Sequence, residues 1–174
     1  MRLGLITAVI ALVFDQLTKY AVRNFVLADQ PMIEVMPFFN LVTAWNTGVS
    51  FSMFDSYGVP GTVVLVILAV IIIGMLVRWL KDEKIPLLQF AIGLIIGGAL
   101  GNVIDRLYFG AVFDFVDLYF RDMHWPAFNA ADSFICIGAM IVILHSLFIG
   151  EQKENPELEG AVAKKVKKKE KRKK

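Results

Sequence analysis

The residues of this 174-residue chain best able to do chemistry gather in one stretch, from Gly97 to Ile135. It holds Gly97-Gly98-Ala99-Leu100-Gly101-Asn102-Val103-Ile104-Asp105-Arg106, then Asp114 and Asp117, then Phe128-Asn129-Ala130-Ala131-Asp132, with apolar runs on either side. Polar groups at the edge of a membrane span are costly unless they are paired or used. The chemistry on offer is that of two carboxylates held close. Like charge and partial burial raise one pKa, so at neutral pH one acid keeps its proton while the other is ionised. The ionised member takes a proton from water, and its partner donates to the carbonyl oxygen of an amide. No Ser or Cys nucleophile is required. Ser133 adjoins Asp132 but has no base lysine or histidine in register. His124 and His145 are far apart and read as interfacial or packed residues, so no metal site is expected. Cys136, between two isoleucines, reads as a small buried hydrophobe. Spacing alone does not choose Asp114 over Asp117. Asp105, next to Arg106, reads as a local cap or pair, and Asp117 and Asp122 as solvated carboxylates.

Membrane helices must carry these residues. The chain is 57% hydrophobic and 20% charged, with a mean hydropathy of +0.63, whereas soluble domains hold roughly 45–50% apolar and about 25% charged residues. One membrane-embedded unit over residues 1–150 is expected, followed by a Lys-rich tail, 151–174. The net charge of +2 is local. Lys164 to Lys174 holds nine of the eighteen Lys and Arg, and residues 1–163 carry nine basic against fifteen acidic side chains. This excludes a basic nucleic-acid-binding domain. The tail reads as a solvated, disordered end that can touch anionic lipid.

Four spans are expected, over about residues 3–25, 59–79, 87–104 and 128–149. The first is not a cleaved leader, because no small-residue cleavage site follows and the helical pattern continues past Asp15. Asp15, Lys19 and Arg23 are spaced i, i+4, i+8 and share one helix face, where Asp15 and Lys19 can pair. An acid that deep faces the bundle interior. Between the first two spans, residues 26–58 contain Pro31 and Pro37, which argue against a continuous helix. Phe38 to Trp45 is β-prone, Asn46-Thr47-Gly48 signals a turn, and Val49-Ser50-Phe51-Ser52-Met53 alternates like a second strand. The fold class is therefore a four-helix membrane protein with a small β-containing subdomain on the outer face between helices 1 and 2. Arg78, Lys81 and Lys84 place the loop between spans 2 and 3 in the cytoplasm, together with both termini. The third span then ends, and the fourth begins, at the outer face, with Asp114 in the loop between. Gly93, Gly97 and Gly101 form a small-xxx-small stripe that reads as packing within a monomer.

The same residues resemble a known family. Gly97 to Arg106 followed by Gly110-Ala111-Val112-Phe113-Asp114-Phe115, and Trp125-Pro126-Ala127-Phe128-Asn129-Ala130-Ala131-Asp132-Ser133, look like the signature of the bacterial lipoprotein signal peptidases, or signal peptidase II. Asn46-Thr47-Gly48-Val49-Ser50-Phe51 resembles that family's Asn-x-Gly motif, and Asp15-Gln16-Leu17-Thr18-Lys19 its first-helix motif. The resemblance implies a catalytic aspartate dyad at Asp114 and Asp132. It implies supporting positions at Asn46, Gly98, Asn102, Arg106 and Asn129, with Asp15 and Lys19 as the first-span pair. It further implies no metal or other cofactor and inhibition by the peptide antibiotic globomycin. The expected location is the bacterial inner membrane, and the expected partners are membrane lipids and a prolipoprotein whose cysteine carries diacylglycerol. Two other classes compete: a small proton- or ion-coupled transporter using Asp15, Lys19 and Asp132 as a relay, and a membrane scaffold assembled through the glycine face. Against the transporter, the acids cluster at one face and no inverted repeat is evident.

Overall fold

The computed structural model describes residues 1–48 and 61–149. The expected strand at 49–53, the start of the second span and the basic tail lie outside those residues. Among the described residues four helices are long and apolar enough to cross a membrane. The first, α1 (Arg2–Ala21), runs on through a π-helical turn at Val22–Val26. Next come α2 (Gly61–Asp82), α3 (Pro86–Phe109) and α4 (Ala130–Ile149). Pro86 opens α3, where a missing N–H costs nothing, and Gly110 closes it in the left-handed conformation.

The central helix is α3. In its apolar window 61% of residues are buried, against 6% in α2. Its glycine stripe explains why. A Cβ at Gly93 or Gly97 would run into the backbone of Gly4 or Ala8 on α1, and one at Gly101 into the Asp15 carboxylate. The stripe is used within the chain, by α1. Ala8, Leu80, Ile92 and Ile96 fill the space between α1, α2 and α3. The outward faces of α2 and α4, including Ile67, Ile71, Met75, Ile143 and Leu147, are exposed as lipid contact demands.

The β element is larger than expected, and both connections at one end of the bundle supply it. Strands β1 (Met32–Met36) and β2 (Phe39–Asn46) follow α1, and β3 (Val112–Phe120) and β4 (Met123–His124) follow α3. They form an antiparallel sheet in the order β1-β2-β3-β4. Asp114 therefore stands on a strand, not in a loop. The reason is legible in Val112-Phe113-Asp114-Phe115-Val116, a β-branched and aromatic run that pairs with β2, setting Asp114 opposite Ala44 and Asp117 opposite Asn40. Leu27, Phe113 and Phe115, backed by Val22, Ile33 and Leu41, form a second core that holds the sheet to the end of α1.

Candidate active site

Cluster geometry starts at the first turn of α4. Asn129 is its cap. The Asn129 backbone N–H donates to Asp132 Oδ2 at 3.1 Å, and the Asp132 N–H donates to Asn129 Oδ1 at 3.0 Å. This reciprocal cap satisfies two backbone donors that the helix cannot. The Asn129 side chain is fully buried, and its Nδ2 donates to Asp114 Oδ1 at 2.7 Å. One asparagine thus touches both aspartates. Main-chain pairing puts it there: Phe128 bridges Val116 antiparallel, so the next residue lies beside the Asp114 segment of β3.

From β2, Asn46 Nδ2 donates to Asp114 Oδ2 at 3.1 Å, while its Oδ1 accepts the Gly48 N–H at 3.0 Å. Gly48 has φ +75°, so the Asn-x-Gly turn needs glycine and fixes which end of the Asn46 amide faces Asp114. From α3, Asn102 Nδ2 donates to Asp132 Oδ1 at 2.8 Å.

Behind the pair lies a buried ionic cluster. Lys19 Nζ contacts Asp15 Oδ2 and Asp105 Oδ2, each at 2.9 Å, and Asn102 Oδ1 at 3.1 Å. An ammonium has three donors, and all three are used. The two carboxylates are completed by Gln16 Nε2, by the Ala131 N–H on Asp15 Oδ1 and by the Phe113 N–H on Asp105 Oδ2. Since Lys19 holds Asn102 Oδ1, the other end of that amide is left to face Asp132.

Burial, followed by the charge of Asp132, pushes the Asp114 carboxyl up to about 6, against the pull of donors from Asn46 and Asn129 and of the Lys19 charge. Arg106 is half-buried in the field of Asp132, Asp114 and Asp105, yet its Nε has no hydrogen-bond partner among the described residues. Such an orphaned donor is costly. Gly98 brings no polar group. It lies where α3 meets the Ala131 carbonyl, and a side chain there would push away the first turn of α4. Among the described residues no three His, Cys, Asp or Glu side chains converge in a way that would hold a metal ion.

The structure thus gathers Asp114, Asp132, Asn46, Asn102, Asn129, Asp15 and Lys19 into one hydrogen-bonded network, with Arg106 beside it and Gly98 at the helix contact. It also corrects four readings. Asp105 pairs with Lys19 and not with Arg106, because its position on α3 turns it toward α1. Asp117 is buried, not solvated, and bonds to Asn40 and His124. His124 is therefore more than an interfacial ring. Cys136 is exposed on the outward side of α4. Sequence reasoning missed Gln16 as a member of the ionic cluster, although it adjoins Asp15 within the quoted first-helix motif.

A multispan membrane protein with a polar, carboxylate-rich cluster at one end of its helices is the class that this fold and site define. The comparisons narrow it. The family model described as Signal peptidase (SPase) II matches residues 7–148. The lipoprotein signal peptidase of Aeromonas hydrophila is 45% identical over 150 residues, covering 85% of this chain and 89% of that protein. Those of Rhodopseudomonas palustris and Thermodesulfovibrio yellowstonii are 40% and 42% identical, covering 84% and 82% of this chain and 92% of each relative. Two solved structures, each described as a bacterial membrane enzyme obtained by the in meso method, superpose with a TM-score of 0.71 at 31% and 32% identity. They cover 88% and 83% of this chain, and it covers 90% and 92% of theirs. The chain belongs to the signal peptidase II family, the lipoprotein signal peptidases, and is a bacterial membrane peptidase. This replaces the transporter and scaffold alternatives.

Proposed function

We propose that this peptidase removes the signal peptide from diacylglyceryl-modified prolipoproteins by hydrolysing the bond before the lipidated cysteine, with Asp114 and Asp132 as the catalytic dyad. The observation that carries this is the single asparagine, Asn129, hydrogen-bonded to both carboxylates at once. Asp114, with its raised pKa, is the proton carrier. Asp132, in the first turn of α4 where the helix dipole favours negative charge, is the general base.

In this reading Asp132 takes a proton from water, and the water oxygen bonds to the scissile carbonyl carbon. Asp114 gives its proton to the carbonyl oxygen, forming a neutral tetrahedral diol. Collapse breaks the C–N bond. The proton held by Asp132 goes to the departing amine, and a hydroxyl proton of the diol returns to Asp114 as the new carboxyl group forms. Arg106, in the field of both aspartates, is suited to orient a carboxylate or the substrate carbonyl.

We place the dyad at the outer face of the bacterial inner membrane, with both chain ends in the cytoplasm. Arg78, Lys81 and Lys84 crowd the end of the bundle opposite the sheet, as the positive-inside rule requires of a cytoplasmic loop. A lipidated cysteine keeps its acyl chains in the bilayer, so its peptide bond is presented at headgroup level, where the sheet meets the helix ends. The single chain supplies the whole cluster, consistent with a monomer, and globomycin, a peptide, would compete for the same site.

The test is release of the signal peptide from a lipidated prolipoprotein by the detergent-purified chain. Asp114→Asn and Asp132→Asn should abolish release, while Asp122→Asn, in the exposed β3–β4 turn, should not. Release by either dyad variant at the unmodified rate would remove the dyad.

A further inference from the structure

The hairpin that carries Asp114 down one arm and delivers Asn129 and Asp132 on the other is paired in two short stretches with an irregular one between them. β3 and β4 share two residue pairs, Tyr119 with His124 and Phe120 with Met123. The turn between them passes through Arg121 with φ +56°, a left-handed conformation that costs a non-glycine residue about 1 kcal/mol. Beyond β4, Trp125 N–H reaches the Leu118 carbonyl, Pro126 has no N–H to give, and the next tie is Phe128 with Val116. Between those pairings, Asp117 and Leu118 on β3 face Trp125, Pro126 and Ala127 on the return arm. That is two residues against three, a bulge. Main-chain pairs flank the bulge on both sides, and the ladder is interrupted between them at Pro126 and Ala127.

A side-chain tie crosses the irregular stretch. The Asp117 carboxylate is buried, and His124 Nδ1 stands 2.9 and 3.0 Å from its two oxygens. An ionised carboxylate only accepts, so Nδ1 carries a proton. Asn40 Nδ2 on β2 donates to Asp117 Oδ2 at 2.9 Å, which leaves Asn40 Oδ1 buried with no partner among the described residues. One carboxylate thus joins β2, β3 and β4. The imidazole also stacks on Tyr119, with centroids 5.1 Å apart. The nearest cation in this turn, Arg121, lies over the Phe120 ring.

We propose that His124 and Asp117 are positioning residues: their bond clamps the bulge between the Tyr119–His124 pair and the Val116–Phe128 bridge, and so steadies the bridge that sets the separation of the Asp114 and Asp132 carboxylates. Asp114 lies three residues before Asp117, and Asn129 five residues after His124; the Val116–Phe128 bridge stands between the tie and the dyad, so strain released at the tie reaches Asp114 and Asn129 through that bridge. The proposal rests on the dyad reading above. Misplacing reacting groups by about 1 Å can cost on the order of a hundredfold in rate.

The experiment compares His124→Phe, which keeps a ring for Tyr119 but has no donor, with His124→Asn, whose Nδ2 is as many bonds from Cβ as the lost Nδ1. His124→Phe should lower kcat about tenfold or more with KM within about twofold. The alkaline limb of kcat/KM should also move to lower pH, since a more distant Asp132 pushes Asp114 less. His124→Asn should restore both. Melting temperatures are read in parallel. His124→Leu carries the same expectation as His124→Phe and stands in for it should that variant not be recovered folded. A donor-less variant with unmodified kcat and pH profile, or a His124→Asn as impaired as His124→Phe, overturns the latch. If Asp114→Asn and Asp132→Asn are inactive in the same assay, that failure is the latch's alone; if they are active, the dyad reading has failed instead.

Discussion

Asn129 and Asp132 cap one another at the start of α4, and the same Asn129 side chain holds Asp114 at 2.7 Å. The cap uses the amide oxygen and the bridge uses the amide nitrogen, so the two jobs are chemically separable. Asn129→Ala removes both and should cost about 1 kcal/mol of stability for the lost cap, together with most of the activity. Asn129→Ser keeps a capping oxygen and should recover the melting temperature but not turnover. A serine variant that cleaves as fast as the unmodified chain would show that the bridge to Asp114 is dispensable.

Asp114 makes stability and activity pull in opposite directions. Its folded-state pKa, about 6, lies above the ordinary 3.8. Folding therefore favours the protonated form: the contribution is fully present below 3.8, falls as pH rises through 6, and is absent above that. Asp114→Asn removes the group that must ionise in a buried place. The melting temperature of this variant relative to the unmodified chain should rise between pH 4 and pH 8, by the equivalent of about 3 kcal/mol at most. The slope is the test, since the amide disturbs the Asn46 and Asn129 bonds equally at every pH. A difference that does not change with pH would mean that Asp114 is not destabilised by ionisation.

Lys19 is the only cation touching Asp15 and Asp105 among the described residues. Lys19→Met strands two buried carboxylates, and removing one partner of a buried pair typically costs about 3–5 kcal/mol. It also frees the Asn102 amide to turn away from Asp132. Arginine should not substitute, because three acceptors at 2.9–3.1 Å enclose a compact ammonium and leave no room for a planar fork. Thermal unfolding in detergent checks this. A Lys19→Met chain as stable as its parent would mean the three polar groups are solvated after all.

How far the sequence discloses this arrangement depends on whether a signal is local. The four spans are legible as apolar runs of sufficient length, and the Asp15–Lys19 pair as an i, i+4 spacing. The placement of Asp105 beside Lys19 is not, because it depends on how α3 is rotated against α1, which the glycine stripe decides only once the helices touch. Asp117 and His124 read separately as surface residues, for their bond exists only after the chain reverses at Arg121. Strand β3 was there to be read in its β-branched and aromatic residues, but its two acids disguise it as a loop. The Asn129 cap follows the Asn-x-x-Asp spacing, a cap signature. Its second bond, to Asp114, needed the Val116–Phe128 pairing.

Gly101 is the point where helix packing and the polar cluster meet, and it supplies the sharpest separation of the two. A methyl group there would press on the Asp15 carboxylate, whose Oδ2 holds Lys19 and whose Oδ1 holds the Ala131 N–H in the first turn of α4. The neighbour that must yield is a short acidic side chain bonded at both oxygens, so it cannot swing aside without releasing a donor. Gly101→Ala should therefore loosen the turn that presents Asp132 and lower signal-peptide release by about tenfold or more. Gly74, on α2, has no neighbour within 4 Å of an added Cβ. Gly74→Ala gains helix propensity there, about 1 kcal/mol at most, and should leave release unchanged. If both alanine variants cleave normally, Asp15 has slack that the packing of α1 on α3 does not suggest, and its hold on α4 does not matter to the reaction.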